Sequence, residues 1–202
     1  MHKGAIFPLL YLPPIEYFHE IFKYSDSLFF EAEEHFPKQT YRSRAVIHSP
    51  NGKLNLIVPI EKGVKNHTMV RDIKISYEFN WQRLHWLSLQ TSYRNSAYFE
   101  FYEDDFAPIF ENKTKYLFDL NETILNLLFK LLKHKVTYSF SSTYQKEYAD
   151  LKDYRRAIHP KVSSLYETKS YFQVFDDRNG FMPNLSIVDL LFNQGPHSRN
   201  FI

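Results

Sequence analysis

The first thirty-one residues constrain the fold most strongly, because they read as a strand, a helix and a second strand in direct succession. Residues 5–10 form a short apolar run, and residues 27–31 are again typical of a strand. Between them, residues 14–23 place apolar side chains on one helical face, and Pro14 suits a first helical turn. A strand–helix–strand unit is almost always a right-handed crossover between parallel strands. The chain is therefore predicted to open with a parallel pair.

An antiparallel hairpin is predicted next. Residues 44–48 and 54–58 are typical of strands, and Asn51 and Gly52 lie between them. Asn-Gly supplies the positive φ angles that a tight hairpin turn requires. A further strand is predicted over residues 71–76, where isoleucines alternate with polar residues.

Helices are predicted for the middle of the chain. One begins after Asn80, a favourable N-cap residue, and another covers residues 97–110 with aromatic side chains at helical spacing. A third is predicted over residues 121–133, because Asp119 and Glu122 have the spacing of a capping box.

The last third of the chain returns to strands before a closing helix. Strands are predicted at residues 136–140 and 171–175. A helix follows over residues 186–193, with Ser186 at its start and Gly195 as a stop signal. Strands and helices thus alternate at both ends of the chain.

We predict an α/β fold in a single domain over residues 1–202, with a mixed, partly parallel sheet, an inserted β-hairpin and flanking helices. The length of 202 residues fits one hydrophobic core. A segregated α+β arrangement is the alternative.

Composition excludes several classes of protein. The chain has no Cys, which excludes disulfides and thiolate chemistry and favours a reducing compartment. No signal peptide is recognised, and no run approaches the ~18 apolar residues of a membrane span, so a cytoplasmic location is predicted. The 25 basic and 23 acidic residues are spread along the chain, which disfavours nucleic-acid binding. The nine His lack paired ligand spacing, so no metal site is predicted.

Aromatic residues make up 18% of the chain, an unusually large share. These rings either fill the core or provide stacking surfaces for a sugar or a base, and the sequence leaves both alternatives open. No cofactor is assigned, because the five Gly have neither phosphate-loop nor dinucleotide spacing.

Segments along essentially the whole chain resemble the WbqC-like family. These are Tyr-Leu-Pro-Pro-Ile-Glu-Tyr-Phe at 11–18, Phe-Pro-Lys-Gln-Thr-Tyr-Arg-Ser-Arg at 36–44, Pro-Asn-Gly at 50–52 with Val-Pro at 58–59, His85 with Tyr93 and Tyr-Phe at 98–99, and Asn-Leu-Ser-Ile-Val-Asp-Leu-Leu-Phe-Asn-Gln-Gly-Pro at 184–196. The segments occur in the same order as in the family.

The resemblance implies a biological context rather than a reaction, since the family takes its name from a bacterial O-antigen locus. Residues 159–161 and 171–175 are similar to a Bacteroidetes-type subgroup. The chain departs from the family's usual opening motif at Pro8, Pro14 and Glu16, which puts any role of that motif in doubt.

A basic stretch between two predicted strands is the first candidate for substrate binding. Arg42 and Arg44 are i and i+2 residues, so in an extended segment their guanidinium groups lie on one face and form a clamp for pyrophosphate or carboxylate. Lys38 belongs to the same stretch. The alternative is a solvated strand edge with surface ion pairs.

Two further segments carry candidate catalytic groups. His85 is a candidate general base, because an imidazole titrates near neutral pH; the alternative is a buried imidazole bonded to a Tyr hydroxyl or a backbone carbonyl. His159 and Lys161 follow the basic pair Arg155 and Arg156 on a predicted loop. Lys161 is a candidate phosphate ligand or base, and an exposed basic loop without a ligand is the alternative.

Two functional hypotheses follow. The first is a transferase or ligase-like enzyme of surface-polysaccharide synthesis that acts on a nucleotide-linked or phosphorylated sugar. In this hypothesis Arg42, Arg44 and Lys161 bind the anionic group of the substrate. His85 transfers the proton, and Tyr11 or Tyr17 stacks on a ring of the substrate. The second is a non-enzymatic interaction or scaffold protein with an aromatic-rich surface. The enzyme hypothesis requires one concave site; the second requires an exposed aromatic patch.

Overall fold

The residues that this computed structural model describes, 3–63 and 67–202, contain a four-stranded parallel sheet, a separate hairpin and six α-helices. The elements in chain order are β1 (Gly4–Pro8), α1 (Ile15–Ile21), β2 (Leu28–Glu31), β3 (Arg44–Ser49), β4 (Gly52–Ile57), α2 (Trp81–Tyr93), α3 (Phe99–Glu111), α4 (Leu117–Leu131), β5 (Tyr138–Phe140), β6 (Leu151–Asp153), α5 (Asp176–Asn179) and α6 (Ile187–Gln194).

The parallel sheet has the strand order β5-β2-β1-β6. The predicted strand–helix–strand opening is confirmed: β1 pairs with β2 in parallel, with Ala5 opposite Leu28. On its other side β1 pairs with β6, with Gly4 opposite Leu151. All five residues of β1 are buried, as expected for a central parallel strand.

The hairpin forms as predicted, with Ser49 opposite Gly52 and Arg44 opposite Ile57. Gly52 has a φ of 98°, the positive value that the turn requires. The hairpin does not join the parallel sheet; β3 packs against α2 and α6, and the Ser186 backbone N–H donates to the Val46 carbonyl at 2.8 Å. The predicted α/β fold, with parallel strands, an inserted hairpin and flanking helices around one hydrophobic core, is confirmed.

The starts of two helices test the predicted N-cap residues. The predicted cap at Asn80 is confirmed, since its side chain accepts from the Arg83 backbone N–H at 3.2 Å. The helix predicted to begin at residue 121 instead begins at Leu117. Asp119 is therefore not a cap but lies in the first turn of α4, where the helix dipole favours a carboxylate.

Three strand predictions need correction. Residues 71–76 form a 3₁₀ turn and isolated bridges, including one between Ile60 and Ile75, rather than a strand. Residues 171–175 form no strand either; the Tyr171 and Gln173 side chains bond to Asp189 of α6. β6 was not predicted; its three residues are too few to show a strand periodicity.

A buried carboxylate joins α6 to α2 and to the segment before α5. Asp189, which is 0% exposed, accepts from the Tyr93 hydroxyl at 2.8 Å, the Tyr171 hydroxyl at 2.6 Å and the Gln173 side-chain amide at 3.0 Å. Burial raises the pKa of Asp189, and the bonds from Tyr171 and Tyr93 oppose that rise. The three donors explain how a carboxylate is tolerated in the core.

We expect Asp189→Ala to destabilise the protein, because both tyrosine hydroxyls lose their acceptor in the core. An unsatisfied buried group costs about 1–3 kcal/mol, so the free energy of unfolding should fall by about 2–4 kcal/mol in urea titrations followed by circular dichroism. Asp177→Ala, at an exposed carboxylate of α5, is the control and should change stability by about 0.5 kcal/mol at most. Equal unfolding midpoints for the two variants would contradict this account.

Candidate functional site

A cleft of about 1000 Å³ opens at the carboxyl ends of β2 and β6. Its lining residues come mainly from the segments that follow β2, β5 and β6. The lining residues on these segments are Glu33, Glu34, His35, Pro37, Lys38, Thr40, Arg42, Tyr144, Lys146, Glu147, Arg155, Arg156, His159, Lys161 and Val162. In open α/β sheets, ligands bind outside the carboxyl ends of the strands, where the strand order reverses. Here the chain runs from β1 to β2 on one side and later adds β6 on the other. The cleft therefore lies where this class of fold places its ligand sites.

Four cations line the cleft without an ion-pair partner among the residues described. They are Lys38, Lys146, Arg156 and Lys161, and all four are exposed. We call them the exposed cations. Since none of them lies within 4.0 Å of a carboxylate in the described chain, they are available to bind an anion in the cleft.

Arg42 also lines the cleft, but it is buried and paired. Its Nε donates to Glu34 Oε1 at 2.7 Å, and its Nη2 lies 2.6 Å from the same oxygen. Nη2 also donates to the Arg155 carbonyl at 3.1 Å. Arg42 is only 2% exposed, so it holds Glu34 in place rather than offering a free fork to a ligand.

Arg155 organises the sheet edge beneath the cleft. It donates to Glu31 Oε2 at 2.9 Å and to both carboxylate oxygens of Asp153. It also donates to the carbonyls of Gln145 at 2.8 Å and Lys146 at 3.2 Å. The guanidinium thus links the ends of β2 and β6 to the loop that follows β5, and each of its nitrogens is engaged.

His159 and Lys161 occupy adjacent positions on the cleft wall. The Lys161 backbone N–H donates to His159 Nδ1 at 3.1 Å, which leaves Nε2 to carry the proton of a neutral imidazole. Burial and the positive charges of Lys161, Arg42 and Arg44 lower the pKa of His159. The neutral ring therefore presents an N–H donor, not a base, to the remaining space.

Half of the predicted site residues meet in the cleft: Lys38, Arg42, His159 and Lys161. Arg44 does not line it, although its charge acts on His159; its Nε is buried without a partner in the described chain. The other three predicted residues, His85, Tyr11 and Tyr17, lie outside the cleft lining.

The Tyr11 and His85 side chains bond to each other inside the core. The Tyr11 hydroxyl lies 2.8 Å from His85 Nδ1, and the Trp81 ring packs 5.0 Å from the imidazole. Burial lowers the pKa of His85 to about 4. A hydrogen bond with the Ile57 backbone raises this pKa, but by less than burial lowers it. This is the buried, hydroxyl-bonded imidazole weighed above as the alternative. Tyr17 is also fully buried, and its hydroxyl donates to the Pro8 carbonyl at 2.6 Å.

Sequence reasoning missed Glu34, Lys146 and Arg156 as site residues. Glu34 was visible only as part of an acidic stretch, and Arg156 only as part of a basic pair. Locating them in the cleft required knowing that residues 151–153 form a strand beside β1, which the sequence pattern does not indicate.

No group of three or more His, Asp or Glu with metal-ligand geometry occurs within residues 3–63 and 67–202. Among the helices of that same part of the chain, none is both long enough and apolar enough to cross a bilayer.

Comparison with known proteins places the cleft in a recognised stretch of sequence. The model of the WbqC-like protein family matches residues 10–164, which include every cleft residue from Glu33 to Val162. Uncharacterized protein Rv1507c of Mycobacterium tuberculosis (strain H37Rv) is 26% identical over 230 residues, covering 100% of this chain and 98% of that protein. No solved structure gives a significant match to the chain.

We expect Arg155→Met to destabilise the protein strongly, because Glu31, whose side chain is 0% exposed, would lose the cation that pairs with it. Removing one member of a buried ion pair costs about 3–5 kcal/mol, a loss measurable by urea denaturation. The neighbouring Arg156→Met is a matched control: Arg156 is exposed and unpaired in the described chain, so its loss should cost about 0.5 kcal/mol or less. Similar losses in both variants would refute the assignment of Arg155 to the sheet edge.

The lowered pKa of His85 predicts a pH-dependent stability. The unfolded chain takes up a proton near pH 6.5 and the folded chain only at about 4, so stability present above pH 6.5 is lost as pH falls through this window. The stability difference between wild type and His85→Gln should therefore shrink by about 3 kcal/mol between pH 7 and pH 4. Urea titrations at several pH values test this. The exposed His197→Gln is the control, and parallel curves for wild type and His85→Gln would contradict the assignment.

Proposed function

Because the chain belongs to the WbqC-like protein family, we propose that the cleft binds a nucleotide-linked or otherwise phosphorylated sugar as the substrate of a transferase or ligase-like reaction in surface-polysaccharide synthesis. The connection with polysaccharide synthesis comes from the O-antigen locus that gives the family its name. The choice of an anionic substrate comes from the charges in the cleft.

The observation that carries this proposal is the set of exposed cations around one cavity. A volume of about 1000 Å³ is at the upper end of the range for small-molecule pockets and accommodates a nucleoside diphosphate sugar. Lys38, Lys146, Arg156 and Lys161 supply the positive charge that a diphosphate requires. Their exposure allows each side chain to turn toward the ligand.

The roles proposed for individual residues follow from their contacts. Lys161 and Lys38 bind the phosphate groups as exposed ammonium ions. His159 donates a hydrogen bond from the Nε2–H of its neutral ring to a phosphate oxygen, since Nδ1 is occupied by the Lys161 N–H. Arg42 acts through Glu34, to which it is bonded.

A cytoplasmic location is part of the same proposal. Nucleotide-linked intermediates are consumed where they are made, and the absence of Cys favours a reducing compartment. The substrate is a small molecule and not a nucleic acid, because the net charge of +2 provides no extended basic surface.

A second candidate function rests on a different part of the molecule. Phe79, Leu84 and Phe101 are 52%, 55% and 77% exposed on or next to α2 and α3, helices that contribute no side chain to the cleft. Contiguous exposed apolar patches mark protein interfaces, so an interaction site here requires these side chains to lie together on one face. They support the alternative of a non-enzymatic interaction protein.

The substrate proposal predicts that nucleotide sugars stabilise the protein and that the exposed cations are responsible. UDP-glucose, GDP-mannose and dTDP-glucose at millimolar concentration are the probes, and at least one should raise the Tm, because a ligand that binds only the folded state stabilises it. The triple variant Lys146→Ala, Arg156→Ala, Lys161→Ala should weaken binding of that probe about tenfold or more by calorimetry.

The control removes the same charge elsewhere. Lys53→Ala, Lys74→Ala and Arg83→Ala combine three exposed cations outside the cleft, and this variant should bind the probe like the wild type. Both triple variants should keep the unliganded wild-type Tm within a few degrees. The proposal is wrong if no probe raises the Tm, or if the two variants lose affinity equally.

A further inference from the structure

One carboxylate of the cleft, Glu34, is held by a buried guanidinium through a single oxygen. Both bonds from Arg42 reach Oε1 of Glu34, at 2.7 Å from Nε and 2.6 Å from Nη2. Oε2 has no hydrogen-bond partner among the described residues. It is not fully buried, so it keeps contact with solvent. Because Glu34 lines the cleft, Oε2 is the oxygen that faces a ligand.

The other carboxylates near the cleft differ from Glu34. Glu147 is exposed and has no partner among the described residues, so nothing there holds it in a fixed position. Glu33 forms an ion pair with Arg71, and Glu31 and Asp153 both accept from Arg155. Glu34 is thus held by a buried guanidinium on one side and left open on the other. A carboxylate oxygen held in place by a buried guanidinium is a strong acceptor for hydroxyl groups.

A carboxylate is unsuited to bind phosphate, because the two charges repel. In a cleft whose exposed cations attract an anion, Glu34 therefore marks the place of a ligand part that is neutral and donates hydrogen bonds. A sugar ring has these properties, since each of its hydroxyl groups carries a donor hydrogen.

We propose that Glu34, positioned by Arg42, binds sugar hydroxyl groups through Oε2 and so distinguishes a nucleotide sugar from a free nucleotide. This subsite rests on the proposed function, because the exposed cations must hold the diphosphate beside it. The specificity of the cleft is then divided: the exposed cations bind the anion, and Glu34 recognises the sugar.

The experiment compares two probes, UDP-glucose and UDP, by calorimetry at pH 7.5. In the wild type, UDP-glucose should bind about tenfold more tightly than UDP, which corresponds to about 1.4 kcal/mol. In Glu34→Gln this ratio should fall to about twofold or less, while UDP itself should bind as well as before or better, because a repelling charge is removed. A merely structural role would weaken both probes together.

Two further variants keep the test interpretable. Glu34→Asp keeps the charge but withdraws the oxygen by one methylene, so it should also lower the ratio. Glu33→Gln removes the adjacent carboxylate, which already pairs with Arg71, and should leave the ratio unchanged. Circular dichroism and Tm confirm that each variant is folded.

The ratio should also depend on pH in a defined direction. Burial raises the pKa of Glu34 above its ordinary value, with Arg42 and Arg155 lowering it and Glu31 raising it. The ionised carboxylate is the acceptor, so the ratio should fall as pH decreases through this raised pKa, beginning above the usual range of a Glu side chain. The terminal phosphate of UDP itself titrates near pH ~6, so Glu34→Gln provides the baseline, and the contribution of Glu34 is the difference between the pH profiles of wild type and Glu34→Gln.

The outcomes separate the two proposals. If UDP binds and the triple cation variant abolishes that binding, but Glu34→Gln leaves the ratio and its pH dependence intact, the sugar subsite is overturned and the anion site stands. If none of UDP-glucose, GDP-mannose and dTDP-glucose binds the wild type, both proposals are overturned.

Discussion

The burial of Arg155 at the end of β6 is the interaction on which the cleft depends. Its guanidinium joins Glu31 at the end of β2 to Asp153 at the end of β6, two strands that lie on opposite sides of β1. Burying charges is costly unless each partner is satisfied, and here every guanidinium nitrogen donates. The same side chain binds two carbonyls of the loop after β5 and lies 5.1 Å from the centre of the Tyr144 ring. One residue thus fixes the strand ends and the loop that together form the cleft.

The basic residues of the cleft divide into two groups with different physical roles. Arg42 and Arg155 are buried and fully paired, so they shape the site and hold Glu34, Glu31 and Asp153 in place. Lysine and arginine side chains at the opening are exposed and have no partner in the described chain. Sequence alone does not distinguish the groups, because a guanidinium serves equally well in a buried ion pair and in ligand binding.

The parts of the fold that the sequence predicted carry local signals. The opening strand–helix–strand unit, the Asn-Gly hairpin and the helix capped by Asn80 depend on residues close together in the chain. β6 and the segment at 171–175 depend instead on distant partners: Gly4 lies opposite Leu151, and Asp189 takes the hydrogen bonds of Tyr171. In the site, Lys38, Arg42, His159 and Lys161 were predicted from basic clustering, while the pairing of Arg155 with Glu31 spans 124 residues and leaves no local trace.

The separation of paired from unpaired cations has an evolutionary consequence. Because the exposed cations support neither a strand nor a helix, substitutions among Lys38, Lys146, Arg156 and Lys161 carry little cost in folding free energy. The charge at the opening can therefore change while the same strand-end architecture is kept. Divergence among relatives should accumulate at these four positions faster than at Glu31, Asp153 or Arg155, whose replacement would first have to survive a loss of stability.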